Sequence, residues 1–140
     1  MLNTIIEASK NFCIHQIRLP YELHDNVTQM RTVIAYIDIE EISGTKHRVY
    51  IGATPSFAQR ISTLLLEEDE SDEETLIDMT LETANLIIGS AKVLASQNSS
   101  GSYNMSTPHF EKIDIFDFKY DRVKVLKIED DEMIIAIKEL

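Results

Sequence analysis

The sequence predicts a single α+β domain in which helices pack on one mainly antiparallel β-sheet. At 140 residues, with 44% of them hydrophobic, the chain has the size and apolar content of one packed domain. Segments with helical spacing and segments with strand alternation follow in the order helix, two strands, two helices, three strands. Strands joined by short turns pair antiparallel, and a helix buries its apolar side on such a sheet. We therefore expect one domain over residues 1–140.

The first half of the chain predicts a helix followed by a hairpin. Residues 1–18 carry apolar side chains at an imperfect helical spacing, and Pro20 ends this helix. Residues 19–31 predict a connection with some extended structure. Residues 33–42 alternate apolar and polar side chains, and a second alternating segment reaches Ala53. The Gly-containing turn at 43–46 between them predicts an antiparallel hairpin.

Two helices are expected next, separated by an acidic run. Thr54 and Pro55 have the pattern of an N-cap and a first helical residue, and this helix extends to about Leu66. The run at 67–74 predicts a solvated loop. Ser71 followed by Glu74 matches a capping box. It predicts the start of a long helix over about 72–96, which a polar linker at 97–102 follows.

Three strands are predicted to close the chain, over residues 108–118, 122–128 and 132–138. Asp130 and Asp131 are expected to form the turn between the last two strands. Residues 133–137 are apolar on both faces, which is typical of a central strand.

Charge and composition exclude several classes of function. The formal net charge is −11, with 13 Lys and Arg against 24 Asp and Glu, which disfavours binding to nucleic acid or to an anionic membrane. No apolar run is long enough to insert into a membrane, and no signal peptide is evident. The single Cys13 fits a reducing compartment. We expect a cytoplasmic protein.

The usual catalytic groups are absent from the sequence. It contains no Gly-rich phosphate loop and no Ser nucleophile in a Gly-x-Ser-x-Gly setting. Cys13 lies on an apolar helix face and is expected to be buried. The four histidines lack metal-ligand spacing and are expected on the surface or in loops: His15, His24, His47 and His109. Any chemistry should therefore depend on positioning and electrostatics, without a metal site or a covalent nucleophile.

The long helix carries a narrow polar stripe opposite its apolar side. At about 100° per residue, the apolar side contains Ile77, Ala84, Ile87, Ile88, Ala91 and Ala95. The polar stripe, as we call it below, consists of Asp78, Glu82, Asn85, Gly89 and Lys92. Its simplest interpretation is the exposed face of an amphipathic helix. However, Asn and Gly are poor helix formers, and a Gly there suggests close approach of another backbone. Leu86 and Val93 flank the stripe as an apolar rim.

The spacing along this helix matches a known pattern. Asp78 is followed after three residues by Glu82, after two more by Asn85, and after 22 more by Pro108. This resembles the chemotaxis phosphatase family that includes CheC, CheX and FliY, in which an acidic residue or Ser, Glu, Asn and Pro recur at these intervals. Residues 82–91 are also similar to the family's Glu-x-Ala-Asn-hydrophobic-hydrophobic-x-Gly-x-Ala run.

The chain departs from the family pattern at two places. Leu81 occupies a position where the family often has Gly. The N-terminal helix contains Glu7 but has Lys10 where a second family signature carries Asn. With only one intact signature helix, the chain resembles the CheX branch.

The resemblance implies a CheC-like fold and a phosphatase of the receiver protein CheY. By this resemblance, Asn85 orients a water for in-line attack on an aspartyl phosphate, and Glu82 pairs with the receiver's Lys. The chain would need no cofactor of its own, because the Mg²⁺ is expected in the receiver. The remaining residues assigned to partner binding are Asp78, Leu86, Gly89, Lys92 and Pro108. The resemblance also implies a homodimer, with residues 108–118 as the pairing edge.

Two other functions are open at this point. One is a non-catalytic module that docks a receiver or a flagellar-switch component. The other is a structural β-sheet dimer without a receiver partner.

Overall fold

The computed structural model describes residues 2–97 and 101–140, so half of the linker predicted at 97–102 lies outside the described residues. Helices pack on one face of a single antiparallel sheet. The predicted α+β class is confirmed.

Three helices begin and end close to the predicted positions. α1 (Leu2–Phe12) continues into a π-helical turn (Cys13–Ile17), which ends where Arg18 adopts φ 62° and donates its N–H to the Cys13 carbonyl. α2 (Pro55–Leu66) starts as predicted, since the Thr54 hydroxyl accepts from the Phe57 N–H. α3 (Glu73–Gln97) is the longest, with 25 residues. In the described parts of the chain, no helix combines the length and hydrophobicity that crossing a membrane requires.

Seven strands form the sheet: β1 (Glu22–His24), β2 (Arg31–Glu41), β3 (Lys46–Ala53), β4 (Tyr103–Met105), β5 (His109–Ile115), β6 (Arg122–Ile128) and β7 (Asp131–Glu139). Their order is β1-β6-β7-β3-β2-β4. β5 lies beside β4 along the same edge of β2. β7 lies between β6 and β3, as predicted for a central strand.

Two short strands were missed, so the predicted order with five strands is incomplete. β1 pairs with β6, and β4 pairs with the end of β2. Each has only three residues, which is too short for an alternation to identify a strand. Such segments become strands because a longer neighbour offers free backbone groups, which local sequence does not reveal.

Some boundaries also differ from the predicted ones. β5 ends at Ile115, because Phe116 and Phe118 turn onto the second face of the sheet. The turn before β7 is formed by Glu129 and Asp130, and Asp131 already belongs to the strand.

The N-cap of α3 is Asp72 rather than the predicted Ser71. The Asp72 carboxylate accepts from the Thr75 N–H at 2.8 Å. Hydrogen bonding from the Thr75 side chain, and then from this N–H, holds the pKa of the Asp72 carboxyl below its usual value. Ser71 instead receives a different role: its N–H donates to the Gln59 side chain of α2.

Both faces of the sheet are buried. The first face packs its aliphatic residues, including Ile51 and Ile135, against the three helices. The second face is covered by an aromatic cluster, in which the Tyr50 ring lies 5.6 Å from Phe116 and 4.8 Å from Phe118 between ring centroids. The core therefore consists of two hydrophobic clusters, one on each face of the sheet.

The buried central strand should dominate stability. Ile135→Ala should lower the free energy of unfolding by about 2–5 kcal/mol, because its fully buried side chain leaves a cavity. Ile42→Ala is the matched control: this side chain is 84% exposed, so its change should stay within about 0.5 kcal/mol. Urea unfolding of both variants measures the difference, and equal losses would contradict the assigned core.

Candidate functional site

The polar stripe faces away from the sheet because α3 buries its opposite side. Ala84, Ile88 and Ala91 are in the core, and α1 and α2 flank the helix. Asp78, Glu82 and Asn85 are exposed.

The side chains of Glu82 and Asn85 are available to a partner. Residues three apart on a helix are surface neighbours, so the carboxylate and the carboxamide face the same region of solvent. Within residues 2–97 and 101–140, neither side chain takes part in a hydrogen bond, and Glu82 makes no ion pair. The same is true of Asp78. The helix thus presents a carboxylate acceptor beside an amide that can both donate and accept.

Gly89 has no packing requirement within the chain. A Cβ built at this position would meet no described atom within 4 Å apart from its own stretch of helix, whereas one at Gly52 would approach the Thr32 hydroxyl to 3.4 Å. Gly89 is half-buried within regular helix. No neighbour on this chain therefore explains why a helix-weakening Gly stands at this position. The approach of a partner backbone stays a prediction.

An apolar rim and a groove adjoin the stripe. Leu86 and Val93 are 40% and 57% exposed. Leu86 also lines a groove of about 440 Å³ between α1 and α3, in which Phe12 and Leu65 take part. A partner that reaches Asn85 would meet this apolar surface next to it.

Two predicted residues remain, Lys92 at the end of the stripe and Pro108 outside α3. Lys92 is half-buried on α3, one turn after Gly89. Pro108 is half-buried in the loop between β4 and β5, and both of these strands contact α3. That loop is held to β2, since the Asp38 N–H donates to the Ser106 hydroxyl at 3.0 Å. The stripe residues share one helix face, whereas Pro108 belongs to a separate element.

Tyr103 is a residue of this region that the sequence interpretation missed. It is 1% exposed, and its hydroxyl donates to the Ile88 carbonyl oxygen at 2.7 Å. Burial raises the pKa of this hydroxyl well above its ordinary value, so that it stays a neutral donor. In the sequence, Tyr103 is marked only by being the single aromatic residue of the polar run 97–104, and the pattern of that run predicts a linker.

On α1, a lysine stands where the second family signature carries Asn. Glu7 is exposed and Lys10 is half-buried. A lysine ammonium donates only, so it cannot orient a water as an amide does through both a donor and an acceptor. Among the described residues, the spacing of Glu82 and Asn85 on α3 is therefore not repeated on α1.

Comparison with known proteins shows the fold. No protein-family model matches the chain, and no curated protein sequence matches it significantly. Chemotaxis protein CheX from Vibrio vulnificus is similar in structure, with a TM-score of 0.79, 16% identity and coverage of 97% of this chain and 95% of that one. A CheC-like superfamily protein from a Shewanella species has a TM-score of 0.71 at 20% identity, covering 98% and 96% of the two chains.

A third similar structure contains a partner. It is the CheX–CheY–BeF3–Mg²⁺ complex from Borrelia burgdorferi, with a TM-score of 0.70, 15% identity and coverage of 99% and 97%. All three matches extend over nearly the whole of both chains. The expected CheC-like fold is thereby confirmed.

Cys13 should be chemically inert in the folded protein. It is fully buried, and burial raises the pKa of its thiol to about 12, so the thiolate is scarce at pH 8 and becomes abundant only as the pH approaches that value. We expect it to react with a disulfide reagent at least about 100-fold more slowly than in guanidinium-unfolded protein. Rapid modification of the folded protein at pH 8 would contradict this environment.

Proposed function

We propose that this chain, which has the fold of CheX and CheC-like chemotaxis proteins, is a phosphatase of a phosphorylated CheY-type receiver domain. The observation that carries the proposal is the exposed Glu82–Asn85 pair on α3, at a spacing that resembles the family pattern. The reaction is hydrolysis of the receiver's aspartyl phosphate, which would terminate a chemotaxis signal.

Asn85 positions the attacking water. Its amide can accept one hydrogen bond from the water and donate another, which directs a water lone pair at phosphorus. The water oxygen attacks in line, the bond from phosphorus to the aspartate oxygen breaks, and the aspartate leaves as a carboxylate. Phosphoryl transfer has a loose transition state, so positioning and charge matching supply most of the rate. This accounts for a site without a nucleophile of its own.

Glu82 sets the register of the complex. A carboxylate three residues before Asn85 can pair with a Lys at the receiver's active site, and this pairing would fix the amide over the phosphoryl group. Asp78, one turn earlier, extends the acidic side of the contact. The Mg²⁺ is expected in the receiver, and this chain contributes no cofactor.

The Borrelia burgdorferi complex supports the class of partner. It contains a CheX bound to a CheY together with BeF3 and Mg²⁺, and its CheX fold is similar to this chain. The apolar rim of Leu86 and Val93 beside the stripe supplies the kind of contact that a protein partner requires.

The alternative function is a non-catalytic module that binds a receiver or a flagellar-switch component. The specific observation in its favour is Leu81, half-buried directly before Glu82 where the family often has Gly. Asn85 argues against it, because a docking surface does not need a water-orienting amide. A pure binder would leave the lifetime of the phosphoryl group unchanged or prolong it.

Asn85→Ala should reduce stimulated phosphate release by at least about 100-fold, because the water loses its orientation. Binding to a beryllofluoride-loaded receiver should remain within a few-fold of wild type. Phosphate release from a phosphorylated chemotaxis receiver and equilibrium binding measure the two effects.

Asn3→Ala is the matched control, since Asn3 is an exposed asparagine on a different helix, α1. It should retain wild-type phosphate release. Glu82→Ala should weaken receiver binding and raise KM. Full activity of both Asn85→Ala and Glu82→Ala would show that the proposed mechanism is wrong.

Dimerisation through β5 is part of the proposal. β5 pairs with β2 on one side only among the described residues, and Phe110 and Ile115 are 43% and 38% exposed. An edge strand presents unpaired backbone groups to which a second copy can add. The resemblance to CheX-like proteins implies this arrangement over residues 108–118.

Phe110→Lys should shift the protein from dimer to monomer, because like charges would then meet across the two-fold axis. Tyr120→Lys provides the control, since Tyr120 is 41% exposed and lies beyond β5. Sedimentation equilibrium distinguishes 16.0 kDa from twice that mass. A wild-type monomer, or equal effects of the two variants, would contradict the β5 interface.

A further inference from the structure

α3 is tied to the rest of the described chain by a single side-chain hydrogen bond from another element. That bond joins the Tyr103 hydroxyl to the Ile88 carbonyl. α3 also packs on the core through apolar side chains such as Ala84, Ile87 and Ala91. Apolar contacts are not directional, so they resist separation of the helix from the sheet more strongly than small shifts along its axis.

The bonded carbonyl belongs to the turn that carries the proposed catalytic amide. Ile88 follows Asn85 by three residues and precedes Gly89 directly. In a regular helix the Ile88 carbonyl also accepts from the Lys92 N–H, so the Tyr103 hydroxyl is a second donor that reaches it from outside the helix.

Tyr103 is itself held by the sheet. It is the first residue of β4, where it pairs with Glu41 at the end of β2. Its ring is part of the core beneath α3. A short connection of backbone pairing and one side-chain bond thus runs from β2 to the turn after Asn85.

We propose that Tyr103 is a positioning residue, which fixes the axial position and rotation of the α3 turn that presents Asn85. This rests on the proposed phosphatase function. A misplacement of about 1 Å at a reacting group can lower a rate by about 100-fold, so a directional anchor at this turn affects catalysis more than binding.

The buried hydroxyl groups on α3 itself cannot anchor the helix to the sheet. Thr80 donates to the Leu76 carbonyl at 2.9 Å and Thr83 to the Met79 carbonyl at 2.7 Å, both within the helix. Such bonds modify the helix locally but do not connect it to the sheet. Thr80→Val is therefore a matched control, because it removes a buried hydroxyl of α3 without removing an anchor to another element.

The test compares Tyr103→Phe with Thr80→Val in the full chain. Tyr103→Phe should lower kcat for phosphate release by about 10-fold at an unchanged KM for the phosphorylated receiver. Amide hydrogen exchange in the free protein should accelerate over residues 85–92. Para-aminophenylalanine at position 103 retains an N–H donor and should restore most of kcat. Thr80→Val should keep kcat within about two-fold of wild type.

Each outcome separates the two ideas. Wild-type protein that releases no phosphate overturns the proposed function. An active wild type with unchanged kcat in Tyr103→Phe overturns the role of Tyr103 alone, as does an equal loss in Thr80→Val. Should Tyr103→Phe fail to fold, para-methylphenylalanine at position 103 fills the volume of the hydroxyl without providing a donor. A lower kcat for this variant than for the para-amino variant would support the role of Tyr103, and equal kcat values would overturn it.

Discussion

The burial of both faces of the central sheet is the constraint on which the rest of the structure depends. Residues 131–137 of β7 are all buried, so neither face can be left to water. Aromatic residues after β5 cover one face, and the three helices cover the other. Small side chains such as Ala84 and Ala91 let α3 lie close to this surface. The outward direction of the polar stripe is a consequence of that packing.

The proposed site combines a helix packed on the core with exposed polar groups that have no hydrogen-bond partner among the described residues. Asn and Gly within a helix each lower its stability by up to about 1 kcal/mol relative to Ala. Here both lie on the exposed side, where they disturb no core contact, and the buried side of the same turns supplies the compensating packing. A helix held in this way can present an amide and a carboxylate in fixed geometry to a partner. The substrate phosphoryl group and its metal then need not belong to this chain.

Sequence patterns predicted the long elements well because each carries its own periodicity. β2, β3, β6 and β7 alternate or are apolar throughout, and α2 has a Thr-Pro start that the structure reproduces. The boundary predictions were wrong where a local sequence pattern competed with a contact to a distant part of the chain. Ser71 and Asp72 are both good caps, but the Ser71 hydroxyl bonds Ser62 of α2, while the Asp72 carboxylate accepts from the Thr75 N–H. Phe116 and Phe118 look like a continuation of a strand until the second face of the sheet requires covering.

By itself the sequence determined the α+β class, the long helix and the spacing of Asp78, Glu82 and Asn85 along one face, because these depend on the fixed period of a helix. Only the tertiary structure decided that β1 and β4 are strands and that the Tyr103 hydroxyl donates to the Ile88 carbonyl. These features join residues distant along the chain, such as Tyr103 with Glu41 or β1 with β6. Their energy comes from pairing and burial that arise only when the whole sheet has assembled, so no local pattern encodes them.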